Sequence, residues 1–331
     1  MSLASKRLMA AAAGAGGTAA SGSYIVCART DGIVYLLDHT TKGSLSTADT
    51  YDVGATVYDF AFSPDGNYIA VSTAGTIYLL DHTSKGTLSL ASTYGPINDL
   101  GVAFSPDGNY LAVAPNGTSF TLLDHTTPGS LSASDTITVA GYGSPCAWSP
   151  DGNYVSFLSE SSPYFYLFSH SAGTLSASDT LNVGAGNSYF SPSCTFSPDG
   201  NYIAVSNGSS PNFKLLSHSS GSVSQVSSLT LSAGRSSAFS GLGDYIAFTA
   251  DSSTMTLIDH TTAGSVSVAS TLALGGTAGS CDFSADGQYI AVVKENNSLS
   301  LVDHTTAGSL SLATNFTISE LHQRGVAFSP D

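Results

Sequence analysis

The chain has 331 residues, of which only 10% are charged, and acidic residues outnumber basic ones by 24 to 9. A net charge of −15 argues against binding to nucleic acid or anionic lipid, because both need clustered Lys and Arg side chains. No stretch approaches the roughly 18 continuous apolar residues of a membrane-spanning helix, so no membrane span is predicted.

The first 22 residues lie outside the repetitive part of the chain. Lys6 and Arg7 precede a run rich in Ala and Gly. A secretory signal also begins with basic residues, but its next segment is strongly apolar, and this run is short of Leu, Ile, Val and Phe. We therefore favour a docking arm over residues 1–22, in which Lys6 and Arg7 pair with acidic groups on a neighbouring surface. A signal peptide is the alternative.

Seven copies of one pattern follow the arm. Each contains a phrase like Phe-Ser-Pro-Asp-Gly-Asn-Tyr-Ile-Ala-Val-Ser and then a strand ending before a His turn. The repeated aromatic residues are Phe62, Phe104, Trp148, Phe196, Phe239, Phe283 and Phe328. The repeated histidines are His39, His82, His125, His170, His218, His260 and His304, at steps of 42 to 48 residues. A period of about 40–45 residues with four strand-like runs is typical of β-propeller blades.

Each repeat predicts four short strands. In the second blade they cover residues 57–62, 68–72, 76–81 and 87–93. The second strand is almost wholly apolar, as expected for a strand that is buried on both faces between stacked sheets. The fourth is rich in Ser and Thr and alternates, as a solvated outer strand does.

The two ends of the repetitive part complete each other. The chain enters the repeats with residues 24–28, a second strand without its first, and reaches 328–331, a first strand without its second. We predict that residues 325–329 pair with residues 24–28, which would remove exposed sheet edges. The predicted fold is one all-β domain over residues 23–331, a seven-bladed β-propeller of four-stranded blades closed by the C-terminal strand.

Most residues with chemical potential have a structural explanation. Neighbouring His turns should lie more than about 10 Å apart, whereas zinc needs ligands at about 2 Å, so the histidines are predicted to shape turns. The same holds for the Asp residues of the Pro-Asp-Gly-type turns, which are Asp65, Asp107, Asp151, Asp199, Asp286 and Asp331. Cys146, Cys194 and Cys281 share a slot with Phe and Val, which predicts buried free thiols; a Cys146–Cys194 bridge is the alternative. No metal site and no cofactor are predicted.

Variable loops at one face of the propeller are the predicted binding surface. Exposed aromatic residues on variable loops over a rigid scaffold suit the recognition of a protein or glycan. The candidate binding residues are Tyr142, Tyr164, Tyr189, Phe190, His322 and Arg324. His322 is the one histidine outside the repeat, and a loop or contact role is favoured over a catalytic one.

The repeated phrase, with its Phe-Ser-Pro-Asp-Gly and its strand ending in Leu-Leu-Asp, resembles WD40-like and lactonase-type seven-bladed propellers over residues 23–331. The Trp-Asp pair of WD40 repeats is replaced by Leu-Asp or Leu-Ser, and the Gly-His dipeptide is absent. Lactonase-type propellers place catalytic carboxylates, Arg and His around the channel mouth. No such cluster is evident here, so the resemblance implies the fold but not the activity.

Residues 1–22 also resemble the starts of tailed-phage virion proteins. Together these features favour a non-enzymatic structural or interaction protein, most specifically a phage virion component. It would be a capsid or tail decoration or a receptor-binding element, docked on other virion proteins through residues 1–22. The alternatives are an extracellular lactonase- or hydrolase-like enzyme and a secreted or cell-surface binding module. The expected location is the virion or the extracellular space.

Overall fold

The computed structural model describes residues 23–97, 99–141, 143, 145–184, 193–322 and 324–330. Within these ranges the chain forms seven four-stranded antiparallel sheets and no helix. The prediction of an all-β seven-bladed propeller is therefore confirmed. In each blade the first strand lies innermost and the fourth outermost, and the first strands of neighbouring blades pack on each other around a central channel.

The strands follow the repeats. Blade 1 contains β1 (Tyr24–Ala28), β2 (Ile33–Asp38), β3 (Ser46–Asp52) and the last strand, β28 (Ala327–Phe328). Blade 2 contains β4 (Val57–Phe62), β5 (Tyr68–Thr73), β6 (Ile77–Asp81) and β7 (Ser89–Tyr94). Blade 3 contains β8 (Asp99–Phe104), β9 (Tyr110–Pro115), β10 (Ser119–Asp124) and β11 (Ser132–Thr138). Blade 4 contains β12 (Cys146–Trp148), β13 (Tyr154–Leu158), β14 (Tyr164–Ser171) and β15 (Thr174–Asn182).

The remaining three blades repeat this order. Blade 5 contains β16 (Ser193–Phe196), β17 (Tyr202–Ser206), β18 (Phe213–Ser219) and β19 (Ser222–Leu229). Blade 6 contains β20 (Gly234–Phe239), β21 (Tyr245–Ala250), β22 (Thr254–Asp259) and β23 (Ser267–Ala273). Blade 7 contains β24 (Ala278–Phe283), β25 (Tyr289–Lys294), β26 (Ser298–Asp303) and β27 (Ser311–Thr317). The predicted strand limits in blade 2 hold to within two residues, the fourth strand starting later because Thr87 N–H donates to the Ser84 carbonyl in the turn.

The ring closes as predicted. Phe328 and Ala327 of β28 pair with Ile25 and Val26 of β1. Beyond the strand, the Ser329 N–H donates to the Tyr24 carbonyl at 2.8 Å, and the Tyr24 N–H donates to Ser329 Oγ at 3.0 Å. Blade 1 is thus built from both ends of the described chain, and Asp331 lies outside the described residues.

Apolar side chains fill the seams between blades. One cluster joins Val26 and Leu36 of blade 1 to Phe60 and Val71 of blade 2. All four cysteines are buried in such places and free, which confirms the prediction of free thiols. Burial raises the pKa of Cys194 to about 12, and it does the same for Cys27 and Cys281.

The histidine turns hold the blades together. His82 Nδ1 lies 2.9 Å from the Gly66 carbonyl, which can only accept, so Nδ1 carries the proton. His82 Nε2 accepts from the Gly86 N–H at 3.1 Å, and the ring packs edge-on against Tyr24 of the preceding blade. The same Tyr–His contact recurs in every blade, which confirms the structural interpretation of the histidines.

The Pro-Asp-Gly turns are held by their own carboxylates. Asp65 accepts from Ser63 Oγ at 2.6 Å and from the Asn67 N–H at 3.0 Å, while Gly66 takes a positive φ of 67°. Because these turns and the histidine turns lie at the same end of the strands, they form one face, which we call the turn face. The variable loops form the opposite face, the loop face.

Candidate functional site

A cavity of about 690 Å³ occupies the central channel and is lined by residues of the first strands. Alternate residues of each strand face the channel, so its wall is built in tiers. One position before the repeated aromatic the wall carries Ala103, Ala147, Thr195, Ala238, Asp282 and Ala327. Three positions before it the wall carries Asp59, Pro145, Ser193, Ser236 and Ser280. Two carboxyl groups thus stand among small and hydroxylated side chains.

Both carboxyl groups join neighbouring blades. Asp59 of blade 2 accepts from the Val102 N–H of blade 3 at 3.0 Å, and Asp282 of blade 7 accepts from the Phe328 N–H of blade 1 at 2.8 Å. Burial raises the pKa of each to about 7, and the backbone hydrogen bonds only partly oppose this rise. Each group can therefore take up or release a proton near neutral pH.

Arg235 stands at the loop-face end of the channel. Its side chain is only 7% exposed, and Nη2 lies 3.0 Å from Asp251 Oδ1 and 2.8 Å from Glu295 Oε1. Asp251 directly follows β21 of blade 6, and Glu295 directly follows β25 of blade 7. Two loops of the same face therefore fix the direction of one buried guanidinium group.

His322 and Arg324 line the same cavity. The His322 N–H donates to the Ala28 carbonyl at 2.8 Å, which ties this segment to blade 1. Burial and the charge of Arg324 lower the pKa of His322 to about 4, so its ring is neutral at pH 7. The Arg324 guanidinium carbon lies 5.5 Å from the Tyr58 ring centroid, at cation–π distance.

The candidate binding residues are distributed unevenly. His322 and Arg324 line the channel, whereas Tyr164 begins β14 and packs on the apolar cluster of Phe165 and Leu167. Tyr164 is thus placed in blade 4 away from the channel lining. Tyr142, Tyr189, Phe190, Lys6 and Arg7 lie outside the described residues.

The expectation that no cluster of carboxylates, Arg and His surrounds the channel mouth is wrong. Arg235, Glu295, His322 and Arg324 line one cavity together with Asp59 and Asp282. Sequence reasoning missed Asp59, Arg235, Asp282 and Glu295 because each belongs to a different part of a repeat. For Asp59 and Asp282 the available signal was a charged residue in a slot that most other repeats fill with a small side chain. Among the described residues, no three His, Cys, Asp or Glu side chains are arranged to hold a metal ion.

Comparison with known proteins supports the resemblance seen in the repeats. The WD domain, G-beta repeat family model matches residues 47–81, and no curated protein sequence matches the chain. A candidate 6-phosphogluconolactonase of Bacteroides uniformis superposes with a TM-score of 0.79 at 16% identity, covering 92% of this chain and 98% of that one. The periplasmic gluconolactonase PpgL of Pseudomonas aeruginosa gives 0.77 at 17% identity, with the same coverage.

A β-propeller domain of another kind is also similar. The Cps50 (Swd1) propeller of Myceliophteria thermophila gives a TM-score of 0.68 at 13% identity, covering 83% of this chain and 90% of that one. Identities this low show a shared fold alone. The described part of the chain has no helix that is long and apolar enough to cross a membrane.

These findings correct the functional interpretation of the sequence. The prediction of a non-enzymatic virion component is wrong, because similar structures spanning nine-tenths of the chain carry lactonase names and the channel holds the cluster thought to be missing. The likeness of residues 1–22 to phage proteins has no support among the matches. The chain is a seven-bladed β-propeller that is similar to WD40-like and lactonase-type propellers.

Proposed function

We propose that this protein is a lactonase-like hydrolase that opens the ring of a polyol lactone inside the central channel. The observation that carries the proposal is the buried guanidinium of Arg235, fixed by Asp251 and Glu295 in a cavity that also holds two carboxyl groups. The lactonase names of the similar structures agree with it. The hydroxyl group of Ser280 on the wall suits a ligand that is rich in hydroxyl groups.

Hydrolysis of a lactone needs three catalytic functions from the protein. A water molecule attacks the carbonyl carbon and gives up a proton, negative charge develops on the carbonyl oxygen, and the ring C–O bond breaks. The released ring oxygen takes up a proton, so the product is a hydroxy acid. A base, a fixed positive group and a proton donor are therefore required.

The channel residues match these needs. Arg235 would stabilise the negative carbonyl oxygen, because its direction is set before the substrate arrives. Asp59 would accept the proton of the attacking water and return it to the ring oxygen, since its pKa of about 7 suits both steps. His322 would remain neutral and hydrogen-bond the substrate without adding charge.

The test is an assay of lactone opening with the full chain. Purified protein is mixed with glucono-1,5-lactone, 6-phosphogluconolactone and longer-chain lactones, and acid release is followed by pH-stat titration. We expect the Arg235→Gln variant to lose about a hundredfold in kcat/KM, and the Asp59→Asn variant to lose about as much. Asp65→Asn, a change in a turn outside the channel lining, serves as the matched control and should retain activity. If no lactone is opened faster than in buffer alone, the proposal fails.

A further inference from the structure

Four residues that stand four positions before the repeated aromatic residue lie together at the loop-face end of the channel. They are Tyr58 in blade 2, Arg235 in blade 6, Gly279 in blade 7 and Arg324 in blade 1, and all of them line the cavity. In blades 2, 6 and 7 this position lies in a β-bulge, where the first strand has one residue more than its partner strand. A bulge turns a side chain out of the regular alternation of a strand, so this position forms the rim of the channel.

Two arginines flank an open part of this rim. Blade 7 lies between blades 6 and 1, so Gly279 lies between Arg235 and Arg324 along the rim. Because glycine has no side chain, blade 7 offers only backbone at this position. A ligand that sits against blade 7 therefore has one guanidinium group on each side.

The two guanidinium groups differ in their charge balance. Arg235 is held by Asp251 and Glu295, so its single positive charge meets two carboxylates. Arg324 forms no ion pair with any of the described Asp or Glu side chains. Its guanidinium carbon lies 5.5 Å from the Tyr58 ring centroid, and an aromatic ring covers the face of a guanidinium group while leaving its N–H edge free. Arg324 thus presents its charge and its N–H donors to an anion in the cavity.

A bend in the C-terminal segment carries Arg324 to the rim. On β1, Val26 and Arg29 are three residues apart, whereas their partners Ala327 and Leu321 in the C-terminal segment are six residues apart. The C-terminal segment therefore has three extra residues between these two points and bends away from β1 there. Arg324 lies in this bend, and both ends of the bend are tied to blade 1.

Close packing fixes the direction of the bend. A Cβ atom added to Gly325 would lie 2.8 Å from Phe60 Cδ2 and 3.4 Å from the Cα atom of Asp59, both in β4 of blade 2. Phe60 is buried, so it has little room to move. Glycine therefore lets the backbone rest on blade 2, and this contact brings the preceding residue, Arg324, to Tyr58. The backbone, and not the side chain alone, places Arg324 at the rim.

The charges around Arg324 limit the anion that it can bind. Burial raises the pKa of Glu160 in blade 4 and the charge of Arg324 opposes this rise, so a carboxyl group lies within electrostatic range of the guanidinium group. Asp251 and Glu295 add negative charge beside Arg235. One uncompensated guanidinium group among carboxyl groups suits a single negative charge better than the double charge of a phosphate. A carboxylate also accepts two parallel hydrogen bonds from the planar N–H edge of a guanidinium group.

We propose that Arg324 selects lactones that carry a carboxylate group, as the lactone of an aldaric acid does, by binding that carboxylate at the rim. The inference rests on the proposed function, in which Arg235 acts on the lactone carbonyl. Arg324 then holds the charge that the substrate brings, and Arg235 stabilises the charge that develops in the reaction. Ring opening gives the product a second carboxylate close to Asp251 and Glu295, and the repulsion between these groups favours product release.

Kinetics with lactones of different charge test the selection. The full chain is assayed with glucono-1,4-lactone, which is neutral, with glucaro-1,4-lactone, which has the same ring and one carboxylate, and with 6-phosphogluconolactone. We expect the wild type to prefer the carboxylated lactone over the neutral one by about tenfold in kcat/KM, mainly through KM. Arg324→Gln should abolish this preference. Arg324→Lys should keep part of it, since lysine retains the charge but not the planar fork.

The control variant removes a positive charge elsewhere in the same blade. Lys42 lies on the turn face, where its Nζ is 3.3 Å from Asp286 Oδ2, and it does not line the cavity. Lys42→Gln changes the net charge of the protein as Arg324→Gln does. It should therefore keep the wild-type preference for the carboxylated lactone.

Calorimetric titration with sugars that cannot be hydrolysed separates this inference from the proposed reaction. Glucuronate and glucose share one ring and differ in the carboxylate, and glucose 6-phosphate supplies the phosphate. We expect glucuronate to bind the wild type about tenfold more tightly than glucose, and Arg324→Gln to bind the two alike.

The possible results distinguish the two proposals. If no lactone is opened but glucuronate binding depends on Arg324, the reaction is refuted and the carboxylate site stands. If lactones are opened and Arg324→Gln keeps the wild-type preference, the reaction stands and the role of Arg324 is refuted. A stronger preference for 6-phosphogluconolactone and glucose 6-phosphate than for the carboxylated compounds overturns the choice of a carboxylate.

Discussion

The half-buried carboxyl groups of Asp59 and Asp282 should make the propeller less stable as the pH rises through neutrality. The pKa of Asp59 and that of Asp282 are about 7 in the folded chain, against about 4 in an unfolded one. A group with a raised folded pKa binds its proton more tightly in the fold. Its effect is therefore most favourable below pH 4 and is lost as the pH rises from 4 to 7.

The size of the effect follows from the pKa difference. Three pKa units at about 1.4 kcal/mol each set an upper limit of about 4 kcal/mol for one carboxyl group. Both side chains are only half-buried, and solvent screening of partly exposed charges reduces the effect, so we expect about 1–3 kcal/mol for each. The Asp59→Asn and Asp282→Asn variants should thus be more stable than the wild type at pH 8 and about equal to it at pH 4. An Asn side chain still accepts the N–H of Val102 or Phe328.

Urea unfolding at pH 4 and pH 8 measures this difference. Trp148 is the only tryptophan, it is buried, and its Nε1 donates to the Ala103 carbonyl, so its fluorescence reports unfolding. Asp65→Asn is the matched control of opposite sign: hydrogen bonds lower the pKa of Asp65 despite burial, so its loss should destabilise at pH 8. If Asp59→Asn and Asp282→Asn are no more stable than the wild type at pH 8, the pKa values of the two carboxyl groups are not raised in the folded chain and the reasoning is wrong.

Three further outcomes are expected. Deleting residues 324–331 should destabilise the whole ring rather than one blade, seen as a lower midpoint in a single unfolding transition; loss of blade 1 alone would contradict this. His82→Ala should cost about 2–4 kcal/mol in urea unfolding, because it removes two hydrogen bonds and a packed ring, whereas Leu90→Ala on an exposed outer strand should cost under about 0.5 kcal/mol. The four thiols should resist a thiol reagent in the folded chain and react fully in urea, since all four are buried and burial raises the pKa of Cys27, Cys194 and Cys281; rapid reaction of the folded protein would disprove it.

The fold was predictable because the same pattern of strands and turns recurs seven times in the sequence. The aromatic residue, the Pro-Asp-Gly turn and the His turn each recur at a position where the blade geometry requires them, so Phe62 and its counterparts gave the strand order and the closure. The channel cluster was not predictable in the same way. Asp59 and Asp282 are charged, whereas the residues at the same positions of the other repeats are uncharged. A search for what the repeats share does not detect a residue that occurs in only one of them.

Arg235 shows a second limit of the sequence. Its partners Asp251 and Glu295 lie 16 and 60 residues away along the chain. The pairing of β20 with β21 places Asp251 beside Arg235, whereas Glu295 comes from the next blade of the ring. His322 and Arg324 could be selected because they stand outside the repeat. Their position at the channel, rather than on an outer surface, depends on the tie between His322 and Ala28.

The split blade also determines when the molecule can finish folding. The hydrogen bonds between Tyr24 and Ser329 join residues 305 positions apart, so β1 leaves the ribosome long before its partner exists. At about 5–20 residues per second, this strand waits on the order of 15–60 s with one unpaired edge. During that interval, every nascent chain exposes the same unpaired edge of β1 at Ile25 and Val26. A strand of a second nascent chain nearby can pair with that edge. Crowded polysomes should therefore favour misassembled pairs, and slower initiation or a chaperone that covers β1 should favour closed rings.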